Sequence, residues 1–184
     1  MTTLEALLRD ANELILRERD GAALVTTAAQ RKRELRRTMK SVHLPYVARV
    51  GKAAAQEVSD LKEQLWLRRG SRAYLVFRTE VKAIVQQGMS QKEVLERHGL
   101  VGPAFEELAR LLAEFDQACE DLIEGRRLHV GARAGLQRIA DELVRQVGLI
   151  DGFNRFRFAT EPGILAEWVA VSKVLKHSRH SQAA

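Results

Sequence analysis

Histidine, carboxylate and cysteine are the side chains through which a helical chain holds a metal, and their spacing here decides a first question. A carboxylate-bridged di-metal centre uses Glu-x-x-His pairs, because residues i and i+3 share a helical face. The residues three before His43, His98, His129, His177 and His180 are Lys40, Leu95, Arg126, Val174 and His177. None is a carboxylate. His177 and His180 share a face, but two ligands in a polar tail do not make a selective site. Glycine-rich phosphate loops, nucleophile elbows and Ser-His-Asp spacings are absent from the sequence. No metal or cofactor is expected, and nothing names a reaction. Cys119 sits among apolar neighbours such as Phe115 and Leu122. It reads as a buried, inert thiol, because reactive cysteines need an electropositive setting.

The remaining chemistry is charge. RKRELRRTMK, residues 31–40, holds six Lys/Arg against one Glu, in a chain with a net charge of +6. Arg31, Arg33 and Arg37, with Arg68, Arg69 and Arg72, are the candidate polyanion-binding residues. FNRFRF, residues 153–158, interleaves three phenylalanines with Arg155 and Arg157. Aromatics beside arginine can stack on unpaired bases, whereas the commoner arrangement plugs a bundle end with the rings and leaves the arginines in water. SQKEVLERHGLVGPAFEELARLL outlines a helix-turn-helix. Its second helix would carry Glu106, Glu107, Glu114 and Asp116 towards phosphate, which disfavours that use.

The elements that position these groups read as helices. Ala, Leu, Glu and Arg abound, with only three prolines among 184 residues. Leu4, Leu7, Ala11, Leu14, Val25, Ala28, Leu35, Met39 and Val42 keep one seven-residue register, interrupted at Glu18, Gly21 and Lys32. This predicts a first helix from Thr3, as N-cap, to about Ser41, roughly 55–60 Å long. Pro45 predicts a break, because the residue before proline avoids helical geometry. A second helix is expected over 46–67, a third over 72–87 with Gly88 ending it, and a short one capped by Ser90 with Glu93 completing a capping box. Gly99 should close that helix.

Leu108, Phe115, Leu122, His129, Leu136, Leu143 and Ile150 are spaced by sevens, with Leu111, Ala118, Gly125, Ala132 and Ile139 beside them. One long helix over 103–152 is expected, against two helices broken near Gly125. His129, in the seam, is the candidate polar core site. A further short helix covers 161–176, with Trp66 and Trp168 packed at bundle ends and 177–184 a flexible tail.

Charge predicts how the long helices pair. Residues 105–124 carry seven acids and one base, and 133–157 carry five bases and three acids. Residues 4–20 carry five acids and three bases. An antiparallel pairing therefore sets opposite charges together. With the small residues of both middles matched, Lys32, Arg36 and Lys40 fall near Asp121, Glu120 and Glu114, and His129 falls opposite Val25. Exposed pairs contribute only ~0–1 kcal/mol each, so they select orientation while buried side chains supply stability.

ERHGL at 96–100, VGARAGLQ at 130–137 and ILAEWVAVSKV at 164–174 resemble stretches of an uncharacterised group of bacterial helical proteins. The resemblance implies a helical fold and a bacterial source, and supplies no catalytic residue.

The expected fold is all-α: an elongated antiparallel helical bundle of two long helices and three to four shorter ones, one domain over 1–176. The expected function is non-catalytic interaction or assembly through a helical face, including self-association (a coiled-coil-like mode). The alternative is a nucleic-acid-associated protein using the basic face around 31–40 and 68–72. An N-terminus of MTTLEALLRDANE lacks signal-peptide bases, and no apolar run of about 18 residues occurs. A cytoplasmic protein without a membrane span is expected.

Overall fold

The computed structural model describes residues 2–67 and 73–172, with side chains from Leu4 onward. Every regular element among them is helical: α1 (Thr2–Thr38), a wide π-type turn (Met39–His43), α2 (Leu44–Ala54), α3 (Leu61–Gln64), α4 (Tyr74–Ser90), α5 (Lys92–Arg97), α6 (Ala104–Arg157) and α7 (Pro162–Ser172). The all-α fold built on two long helices stands. The expected tail, 177–184, lies outside the described residues.

The break expected at Pro45 does not occur. Proline has no N–H to donate, and its ring clashes with the carbonyl four residues earlier in a regular helix. The chain solves this by widening one turn. The Leu44 amide reaches back five residues to the Met39 carbonyl, and Pro45 sits in the first turn of α2. The extra residue turns Val42 outward, 58% exposed, against the inward place its seven-residue spacing predicts. Met39, Leu44, Val47 and Val50 then carry the buried stripe onward.

The chain divides into two compact units, one of residues 22–126 and one of residues 1–21 with 127–184. The 22–126 unit holds a dense core. Met39, Val47, Leu61, Leu65, Phe77, Val81, Ile84, Leu95, Phe105, Leu108 and Phe115 are essentially inaccessible to solvent. The expected helix over 46–67 is interrupted between Ala54 and Leu61. A straight helix would set Leu61 about 15 Å along the axis from Gly51. The fold-back instead lays Leu61 and Leu65 on Gly51, where an added Cβ would lie 3.0 Å from Leu65 Cδ1.

Gly88 also departs from expectation. It does not end a helix but lies inside α4, where its missing side chain admits the Phe105 ring. Ser90 makes no cap: its hydroxyl donates to the Gln87 carbonyl (2.8 Å), and α5 starts after Gln91 without a side-chain cap. Gly99 does close α5. Its φ is +99°, its amide donates to the Glu96 carbonyl (3.2 Å), and the Leu100 amide donates to the Leu95 carbonyl (2.9 Å). That is the left-handed glycine closure of a helix. Tyr46 pins the corner that follows, its hydroxyl donating to the Gly99 carbonyl (3.0 Å) and accepting from the Val101 amide (2.7 Å).

The 1–21 and 127–184 unit is a helical hairpin of the first half of α1 and the second half of α6, followed by α7. Helix α6 runs unbroken through Gly125, Gly131 and Gly135, which removes the two-helix alternative. It also continues to Arg157, past the expected end at 152, so FNRFR is helix.

Candidate functional site

The hairpin pairs its helices antiparallel, with Leu14 against Gly135 and Glu18 against His129. In the 22–126 unit, the Arg31 guanidinium donates to Glu114, again antiparallel in sense, since Leu24, Ala28 and Arg31 share a groove with Asp121, Ala118 and Glu114. The orientation read from charge is correct, but the register is not. Every pairing sits about one heptad from the expected one. Matching the small middles failed because small side chains interlock weakly and leave sliding cheap; Leu14 in the notch of Gly135 fixes the register better.

His129 occupies the seam half-buried, its Nδ1 3.2 Å from Glu18 Oε1 and 3.5 Å from the Glu18 carbonyl. It faces Glu18, not Val25. The two polar interruptions of the seam therefore answer each other.

The basic segment is divided. Arg31 is taken by Glu114. Arg33 turns back on its own helix, donating from Nε to the Ala29 carbonyl (3.2 Å). Lys32 lies over the Tyr74 ring at 5.1 Å and Arg36 over the Phe77 ring at 4.8 Å, cation–π contacts that no spacing rule announces. Arg37 is exposed. Arg68, Arg69 and Arg72 lie outside the described residues.

A second network was not foreseen. Asp116 accepts from Arg78 Nε (2.7 and 2.8 Å) and from the Tyr74 hydroxyl (3.3 Å). Burial and the neighbouring Asp116 charge push the Tyr74 phenol up, and the Asp116 hydrogen bond raises Arg78. Cys119 lies beside it, buried, its thiol pushed up chiefly by desolvation. This is a neutral, protected sulfur. The helix-turn-helix outline is a corner within the core, with Lys92 tied to Glu106 at 2.6 Å and Phe105 buried. Among the described residues no group of three or more His, Cys, Asp or Glu could hold a metal ion, and no helix is long and apolar enough to cross a membrane.

The hairpin has two unlike sides. One is a groove of about 430 Å³ that combines Asp10, Glu13 and Arg17 of α1 with Arg138 and Glu142 of α6. Hydrogen bonds from Arg145 and then Gln146 hold the Glu142 carboxyl down at about 2. Helical periodicity places Leu8 and Ile15, with Val130, Ala140, Val144 and Val147, on the opposite flank of the seam. Leu8, Ile15 and Val130 are exposed. Beyond them Phe153 and Phe156 are 74% and 87% exposed, so these rings do not plug a bundle end. Helix α7 buries no side chain, although Glu167 is its single charged residue. Its Trp168 indole donates to Asp151 at 2.8 Å. Trp66, expected at a packed end, is 58% exposed.

No family model, curated protein or solved structure matches this chain.

Proposed function

We propose that this chain is a non-catalytic assembly protein whose hairpin is completed by another copy of itself. One observation carries the reading. Of the 24 buried hydrophobic residues among those described, only Ala132 belongs to the 1–21 and 127–184 unit. A unit that small lacks enough covered apolar surface to hold its fold unaided. Its exposed leucines, isoleucines and phenylalanines are the surface a partner would cover.

The charge pattern supports a second copy as that partner. Residues 4–20 are net acidic and 133–157 net basic. A two-fold arrangement that sets α1 of one copy over α6 of the other joins unlike charges twice, as an isologous contact requires. The result is a four-helix arrangement with apolar flanks inside and the Asp10–Arg138 groove outside.

Sedimentation equilibrium over a wide dilution range tests this. A dimer or larger species is expected, and Leu8→Glu with Ile15→Glu should give a monomer whose hairpin amides exchange freely while the 22–126 core stays protected. A strict monomer with protected hairpin amides would overturn the reading.

A further inference from the structure

Lys40, Arg49, Lys52 and Lys62 line one groove of about 330 Å³, together with Leu44, Pro45, Ala48, Trp66 and Leu67. It lies wholly within the 22–126 unit and does not depend on the hairpin. No carboxylate lines it among the described residues. Among those residues, too, none of the four cations has an ion-pair partner, in contrast to Arg31, Arg78, Lys92, Arg97 and Arg110 of the same unit. Four like charges therefore line one groove that also holds apolar side chains.

The spacing of the cations restricts what can answer them. Lys40, Leu44, Ala48 and Lys52 descend one stripe of α2 and its entering turn, so the two lysines stand about 18 Å apart along the axis. Arg49 flanks the stripe, and Lys62 comes from α3, four residues before Trp66. A single carboxylate satisfies one or two neighbouring cations. Charges spread over such a length fit a string of anions. The exposed indole adds a flat apolar surface that a bare polyanion cannot use, but an unpaired base can. A duplex keeps its base faces stacked inside and would leave Trp66 unanswered.

We infer that this groove binds single-stranded nucleic acid, with a base stacked on Trp66 and successive phosphates on Lys40, Arg49, Lys52 and Lys62. The site differs from the basic face expected at Arg31, Arg33 and Arg37. It takes only Lys40 from that segment and adds cations from α2 and α3 that sequence proximity does not gather.

Anisotropy of a labelled oligothymidylate of about 20 nucleotides, titrated with the full chain, is the test. In a Trp168→Phe background Trp66 is the sole indole, since the chain has two tryptophans, and binding should quench its fluorescence. Log affinity should fall with log salt at a slope near −3, from about 0.7 per phosphate contacted. Lys52→Gln and Lys62→Gln should each flatten that slope by about 0.7. Trp66→Ala should weaken binding roughly 5- to 100-fold, with Trp66→Phe retaining most of it.

Three results would overturn the inference. One is no anisotropy change at about 50 mM salt. Another is duplex DNA or heparin binding as tightly as the oligonucleotide with Trp66 unquenched, the mark of a mere cationic patch. The last is quenching by oleate or by phosphatidylglycerol vesicles but not by oligothymidylate, which would make the groove a site for an anionic amphiphile.

Discussion

Gly88→Ala is the substitution with the clearest sign. A Cβ built on Gly88 lies 2.0 and 2.1 Å from two carbons of the Phe105 ring. Carbon contacts are comfortable near ~3.5 Å, so the ring must retreat by roughly 1.5 Å. Phe105 is 1% exposed and lies in a close-packed core, where overpacking costs about 1–3 kcal/mol. Alanine in a helix interior returns about 1 kcal/mol over glycine. With three ring carbons closer than 3.0 Å, the upper part of the overpacking range applies, and the net loss should be about 2 kcal/mol. Thermal unfolding followed by circular dichroism should then shift down by roughly 4–8 °C.

The partner variant makes the reasoning refutable. Phe105→Ala alone should cost about 3–5 kcal/mol. Adding Gly88→Ala to it should cost nothing and recover up to about 1 kcal/mol, because the clash is gone and only the helix preference remains. Urea unfolding of the four proteins measures the coupling. A neutral or stabilising Gly88→Ala in the natural background, or an unchanged cost when Phe105 is absent, would show that the ring does not occupy the glycine notch.

Further outcomes follow from the same geometry. Cys119 should react with a disulfide reagent only as fast as the 22–126 core opens, since the thiol is buried and raised; rapid labelling of the native chain would contradict this. Glu142 should titrate near 2 by carbon-detected NMR, and Arg145→Ala should move that midpoint up towards 4.5. Because the folded value is the depressed one, its contribution is present above about pH 4.5 and disappears as pH falls towards 2. Asp116→Asn should lower the Tyr74 phenol, because the Asp116 charge is one cause of its upward shift; an ultraviolet pH titration that leaves its ionisation unmoved would contradict that assignment.

The long helices were legible in the sequence because one face repeated every seven residues, even across the interruptions at Glu18, Gly21 and Lys32. The spacing of Leu108, Phe115 and Ala132 foretold α6 through Gly125, Gly131 and Gly135, although a glycine costs a helix interior about 1 kcal/mol relative to alanine. Gly88 and Pro45 were misread because each is locally a breaker. What overrides that lies elsewhere: the Phe105 ring, 17 positions on, fills the space at Gly88, and the widened turn before Leu44 accommodates Pro45. The same holds for the candidate sites. His129 announced itself as a polar residue in a seam, but Glu18 as its partner required the true register. The cationic groove joins Lys40 to Lys62 and Trp66 through the fold-back after Ala54, a turn marked by no glycine or proline.

The wide turn at Met39–His43 has a consequence for how this chain tolerates change in length. A five-residue step does the angular work of a four-residue one, so one residue there is surplus to the helix. Losing it would leave Met39 and Leu44 facing the same way, with only Pro45 objecting as its ring met the carbonyl one turn earlier. Deletion of Val42 combined with Pro45→Ala should therefore be milder than deletion alone: the proline and the supernumerary residue form a matched pair, each tolerable because of the other.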